Sequence, residues 1–165
     1  MTAKRSPLAS ALASQLHARD LAQEDGGLVR YAERLARRRE GPRALPCDHL
    51  APLASGYERA LTAIRTADPD KVAPVLECHH APVQHGKTTQ IQAAIVRTLR
   101  LYPRAWIAYA AYNESTAVAK MYEVRQLAPS QGIRMAPDFD TDAEWRTIEG
   151  GAVKAGGLIG GPWNG

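Results

Sequence analysis

A chain of 165 residues, 45% of them hydrophobic, is long enough to bury a core of its own, and it has no apolar run of about 18 residues, which excludes a membrane-spanning helix. The net charge of +4 lies entirely ahead of residue 44: residues 1–43 hold nine Lys or Arg against five acids, and the remainder balances at twelve of each. Two cysteines, Cys47 and Cys78, exclude a disulfide framework and point to a reducing interior.

Residues 1–20 lack the apolar stretch of a secretion signal. The spacing predicts helices over 6–17 and 28–40, separated by Asp25-Gly26-Gly27. In the second, Leu28, Tyr31 and Leu35 recur at helical spacing with arginines on the other positions, and Gly41-Pro42 stops it. A basic arm of this kind attracts nucleic acid or another polyanion; the plainer alternative is a solvated helix face. Asp48 is placed to cap a third helix over about 49–66, where Leu50, Leu53, Tyr57, Leu61 and Ile64 make one apolar face. Ala67-Asp68-Pro69-Asp70 ends it.

The character then changes. Val72 to Cys78 is short and β-rich, a buried strand with an irregular start at Pro74. Cys78-His79-His80 at its end is a poor ligand set for a metal without a second cluster; the two histidines either reach toward a ligand or cover the sheet edge. After a loop over 79–86, a helix runs from Lys87 to Leu101 with Ile91, Ala94, Ile95, Thr98 and Leu99 inward, closed by Pro103. Ala105 to Ala110 is a second buried strand, with Trp106 in the core. Asn113 to Ala128 is a further helix, and Ile133-Arg134-Met135 a third short strand. Asp138, Asp140, Asp142 and Glu144 read as a solvated acidic loop. Trp145–Ile148 and Ala152–Leu158 form two arms around Gly150-Gly151. Strand, loop, helix, strand, helix is the opening of a βαβ sheet.

The stretch Ala81-Pro82-Val83-Gln84-His85-Gly86-Lys87-Thr88-Thr89 falls where a phosphate-binding loop falls, between a strand and a helix. A nucleoside triphosphate presents several anionic oxygens. Consecutive backbone N–H groups at a helix start point at them, and the helix dipole favours them. Gly86 allows close approach because it has no side chain. Lys87 supplies a flexible cation for the β and γ phosphates, and Thr88 a hydroxyl for Mg²⁺. Pro82, Val83, Gln84, His85 and Thr89 complete the loop, His85 through its backbone N–H. The general pattern is G-x-x-x-x-G-K-[ST], and here Ala81 stands in place of the first glycine.

The form P-x-x-H-G-K-[ST] resembles the deviant Walker A of phage terminase large subunits, the ATP-driven DNA-packaging motors. His49-Leu50 with Tyr57-Glu58-Arg59 resembles that family's helix ahead of the first strand. Trp106-Ile107-Ala108-Tyr109 followed by Tyr112-Asn113-Glu114 resembles its second strand and S-Y-N-like turn, with Ala111 in place of Ser. Trp145-Arg146-Thr147, Gly150-Gly151, and then Gly156 to Gly161 and Gly165 resemble a W-x-T-x-x-G-G…G-x-G-G-x-x-T-G segment, with Asn164 where Thr is usual. The likeness covers about 45–165, so the chain divides into a basic helical extension, 1–44, and the front of an ATPase domain, 45–165.

The resemblance implies an α/β fold, a three-layer P-loop NTPase sandwich of the additional-strand type, truncated and preceded by the α-helical extension. It implies ATP and Mg²⁺ as ligands, with Thr88 on the metal. Its implied partners are double-stranded DNA, the portal or procapsid, a small terminase subunit and a homo-oligomeric ring, in the host cytoplasm as a phage or prophage protein. The family often carries an arginine in the loop; Val83 and Gln84 occupy those positions, which leaves Arg146 or an arginine supplied in trans. No apolar run ending in paired acids follows the glycine-rich segment, so the expectation is that this chain carries neither the family's Walker B acids nor its nuclease domain. The expectation is a polypeptide that binds ATP-Mg²⁺ and hydrolyses it poorly by itself. Tyr109 or Tyr112 is a candidate to stack on a base, and the glycines at 150–161 suit either tight hairpin geometry or a loop near DNA or the γ-phosphate. The alternatives are another P-loop ATPase, helicase-like, or a non-enzymatic DNA- or procapsid-binding module with a vestigial loop.

Overall fold

The computed structural model describes residues 26–40, 50–66 and 86–159. Among them the chain is α/β, with four α-helices and one mixed four-stranded sheet. It divides into two compact units, 1–90 and 91–165. The predicted helix over 6–17, the Asp48 cap, the strand over 72–78 and the glycines at 160, 161 and 165 lie outside the described residues.

In the first unit, α1 (Gly27–Glu40) and α2 (Ala51–Thr66) pack on each other. The helical spacing read from the sequence is realised: Leu28, Tyr31, Ala32, Leu35 and Ala36 are all buried, on one stripe of α1. Arg30, Arg34 and Arg37 are exposed, at i, i+4 and i+7. Arg34 lies over the Tyr31 ring, 5.8 Å from its centroid. Two left-handed glycines, Gly26 and Gly27 (φ 65° and 84°), turn the chain into α1. The first turn is then closed from across the unit, where the Leu28 N–H donates to Oε1 of Glu58 at 2.9 Å. A carboxylate at that position satisfies an opening N–H and complements the positive end of the helix dipole. On α2 and just ahead of it, Leu50, Ala54 and Leu61 are buried, while Leu53 and Tyr57 are half-buried.

Helix α3 (Lys87–Leu101) starts in the first unit and continues in the second. Beyond residue 90 its buried positions are Gln92, Ala93, Ile95, Val96, Arg97, Leu99 and Leu101. This corrects the predicted inward face: Ile95 and Leu99 belong to it, Ala94 and Thr98 are only half-buried, and Ile91 is exposed. The apolar residues alone pointed elsewhere because two of the buried positions, Gln92 and Arg97, are polar. Gln92 is accommodated by α4 (Glu114–Leu127). Its Nε2 donates to the Lys120 carbonyl at 3.2 Å and to Glu123 Oε2 at 3.0 Å, and Glu123 also pairs with Lys120 at 2.7 Å.

The sheet runs β1–β4–β3–β2, from β1 (Trp106–Ala111), β2 (Met135–Asp140), β3 (Glu144–Thr147) and β4 (Ala152–Gly157). β1 and β4 are parallel, in register from Trp106↔Ala152 to Ala111↔Gly157. A parallel neighbour requires a crossover, and α4, a 3-10 turn at Ala128–Gln131 and the β2–β3 hairpin supply it. β3 is antiparallel to both β2 and β4, with a bulge between Met135 and Asp140. The helix packs on β4 and β1, and its buried Ala117, Met121 and Val124 accompany Val153, Ala155 and Trp145, which are also buried.

The register places Trp106, Ala152 and Arg146 in one row on the other face, and Ala108, Lys154 and Glu144 in the next. Trp106 is 73% exposed there, with the Arg146 guanidinium 5.7 Å from its ring centroid. The expectation of a core tryptophan at 106 is thus wrong; among the described residues the core tryptophan is Trp145, with no exposed surface. Trp106 lies in an apolar run and Trp145 between Glu144 and Arg146, and the pairing register decides which one meets α4. The acidic cluster is also not a free loop. Asp138 and Asp140 lie on β2, Glu144 on β3 and Asp142 in the turn between them, with Arg125 3.5 Å from Asp142 and Arg146 3.1 Å from Glu144.

Candidate nucleotide-phosphate site

Of the predicted loop, Gly86, Lys87, Thr88 and Thr89 are described; Pro82, Val83, Gln84 and His85, with His79 and His80, lie outside the described residues. Gly86 is a bend with φ +77°, in the left-handed region that glycine tolerates and β-carbon residues resist. A β-carbon there would stand 3.4 Å from Leu50 Cδ1, so the position is constrained by conformation rather than by space. The Gly86 carbonyl accepts from the Gln90 N–H at 2.9 Å, the first intrahelical bond of α3. Lys87, Thr88 and Thr89 therefore form the opening turn, and their N–H groups have no carbonyl four residues back within the helix. Three successive donors at the positive end of a fifteen-residue helix suit an anion. The first turn holds no acid to compete with one. Thr88 is exposed, and Lys87 and Thr89 are half-buried.

One residue that the sequence reading passed over stands directly behind this turn. Gln90 is 1% exposed, and among the described residues neither Nε2 nor Oε1 of its amide has a hydrogen-bond partner. A buried amide in that state costs about 1–3 kcal/mol for each unsatisfied group. The available signal was a glutamine in the first turn after Gly-Lys-Thr, at a position where an inward helix face calls for an apolar residue.

No protein-family model, curated protein or solved structure matches the chain. Among the described residues no helix is long and apolar enough to cross a membrane, and no group of three His, Cys, Asp or Glu is placed to hold a metal ion.

Asn113, Thr147, Gly150 and Gly151 have architectural roles. Asn113 caps α4: its Oδ1 accepts from the Thr116 N–H at 2.8 Å and from Ser115 Oγ at 3.1 Å. Thr147 joins three segments, because its Oγ1 donates to the Pro103 carbonyl at 2.9 Å and accepts from the Gly151 N–H at 2.9 Å. Gly150 takes φ +93° in the β3–β4 turn. Gly151 is packed so tightly that a β-carbon would lie 2.4 Å from the Pro103 carbonyl oxygen. For Gly150 and Gly151 the hairpin reading of the glycine-rich segment is thus the observed one, while Gly156 and Gly157 lie within β4. Tyr112 is 75% exposed in the turn before α4, whereas Tyr109 is half-buried. Arg146 is engaged locally, with Glu144 and over Trp106.

Proposed function

We propose that this chain is the ATP-binding part of a P-loop ATPase resembling the large subunits of phage terminases, and that it grips the nucleotide polyphosphate at Gly86-Lys87-Thr88-Thr89. One observation carries the reading: the helix begins at Lys87, immediately after a left-handed Gly86, so the Gly-Lys-Thr triplet spans a helix start and is not embedded in a helix. The α/β order, with a parallel β1–β4 pair joined through α4, is compatible with a P-loop NTPase sandwich. The residues present fit the ligand. Successive amides and Lys87 suit phosphate oxygens, and the exposed Thr88 hydroxyl suits a Mg²⁺ ion. When bound, that ion neutralises charge on the β and γ phosphates. The residues of this chain orient the polyphosphate. The larger function proposed is translocation of double-stranded DNA into a procapsid, with a portal, a small terminase subunit and a ring of copies as partners, in the host cytoplasm.

The test is equilibrium binding of Mg²⁺-ATP to the purified chain, by calorimetry or with a fluorescent analogue. Losing the Lys87 ammonium removes a charge-assisted contact of about 1.5–3 kcal/mol, so Lys87→Ala is expected to weaken binding by about 10- to 100-fold. Thr88→Ala is expected to remove the Mg²⁺ dependence. Wild-type protein that takes up no nucleotide, or a Lys87→Ala variant that binds as wild type does, overturns the reading.

The exposed arginine row of α1 favours a second reading, a polyanion-docking module in which the loop is vestigial. In that case DNA binds, nucleotide does not, and Lys87→Ala leaves DNA affinity unchanged.

A further inference from the structure

We infer that Gln90 is a phosphate-binding residue, whose side-chain amide takes its missing partner from the polyphosphate held at the start of α3. The inference rests on the proposed nucleotide reading and adds to it a residue outside the Gly-Lys-Thr triplet. Gln90 sits one helical turn past Gly86, bonded to it through the 2.9 Å Gln90 N–H to Gly86 carbonyl contact. Side chains on an α-helix lean toward its N-terminus and lie over the preceding turn. The Gln90 carboxamide is therefore directed back toward the opening turn of Gly86, Lys87 and Thr88. The side chain is 1% exposed, with both its donor and its acceptor unsatisfied among the described residues. A folded protein retains such a group against its own stability where a ligand completes it. A polyanion suits the Nε2 donor, and a water on an accompanying cation suits the Oε1 acceptor. The neighbouring polar residue on the same helix, Gln92, shows the contrast: it is also buried, but its Nε2 donates to the Lys120 carbonyl and to Glu123.

The experiment compares wild type, Gln90→Met and Gln90→Asn for unliganded thermal stability and for affinity toward Mg²⁺-ATP and Mg²⁺-tripolyphosphate. Gln90→Met keeps the volume and removes the unsatisfied amide, so the free protein is expected to gain about 2–4 °C in Tm. Its affinity for both probes is expected to fall about tenfold. Gln90→Asn keeps the amide but shortens its reach, and is expected to lose similar affinity without the gain in Tm. A purely structural glutamine would not move stability and affinity in opposite directions. Full affinity for tripolyphosphate in either variant overturns the assignment, including the case in which only ATP binding suffers, because the partner is then the base or ribose. If Gln90→Met fails to fold, the Gln90→Asn affinity decides. Wild-type protein that binds neither probe removes the nucleotide reading itself, whereas binding lost in Lys87→Ala but kept in the Gln90 variants removes only the role of Gln90.

Discussion

Single atoms decide several positions in this chain. At Gly157, the last residue of β4, an added β-carbon would stand 2.7 Å from the Glu114 amide nitrogen and 3.1 Å from the Asn113 carbonyl carbon. Both are backbone atoms at the start of α4, so no side-chain rotation relieves the clash. Gly157→Ala is expected to destabilise the protein by about 1–3 kcal/mol through overpacking, measured as a lower urea midpoint with an unchanged m value. An unaltered midpoint would show that β4 and α4 approach less closely. Gly150 differs: open space surrounds it, and only its φ of +93° resists a side chain. Gln90 is the opposite case, a residue whose polar atoms lack what their surroundings should supply.

At the scale of elements, the starts of α1, α3 and α4 differ in how they meet the unsatisfied opening N–H groups. α4 uses a local cap, with Asn113 extended (φ −127°, ψ 159°) and its side chain accepting from Thr116. Removing that oxygen in Asn113→Ala is expected to cost about 1 kcal/mol, a loss of about 2–4 °C in Tm, with the effect confined to stability. A Tm equal to wild type would mean that water replaces the cap without penalty. α1 borrows Glu58 from α2, so its start depends on the packing of two elements. For α3 the described cap is backbone alone, the left-handed Gly86 and its carbonyl bond to Gln90. A helix start at which successive N–H groups face an anion is what the nucleotide proposal requires.

The whole molecule carries its excess charge unevenly, with all of the +4 ahead of residue 44. On α1 that excess becomes a row of exposed arginines, Arg30, Arg34 and Arg37, opposite a buried apolar stripe. If the row lies along a duplex backbone, each arginine releases counterions on binding. Replacing all three with Ala is then expected to weaken DNA binding and to reduce the slope of log affinity against log salt by about 2–3, measured on a duplex of arbitrary sequence. An unchanged slope would assign these arginines to solvent. The Lys87 variant separates this property from nucleotide binding, because the two act through different residues.

The local physics of this chain was legible without coordinates. Helical spacing located the buried stripe of α1, Gly-Lys-Thr after a loop located the start of α3 at Lys87, and Asn113 marked the start of α4. Each of these depends on neighbours within about one helical turn, and such information is carried by adjacent residues. Tertiary structure alone decided that Trp145 is core and Trp106 is not, because strand register and the position of α4 choose which face is covered. It also turned the acidic run into a hairpin and revealed Gln90 as buried without a partner, since burial is set by residues distant in sequence. Satisfaction of a polar group is a property of its surroundings, and no run of letters specifies those until the chain has packed.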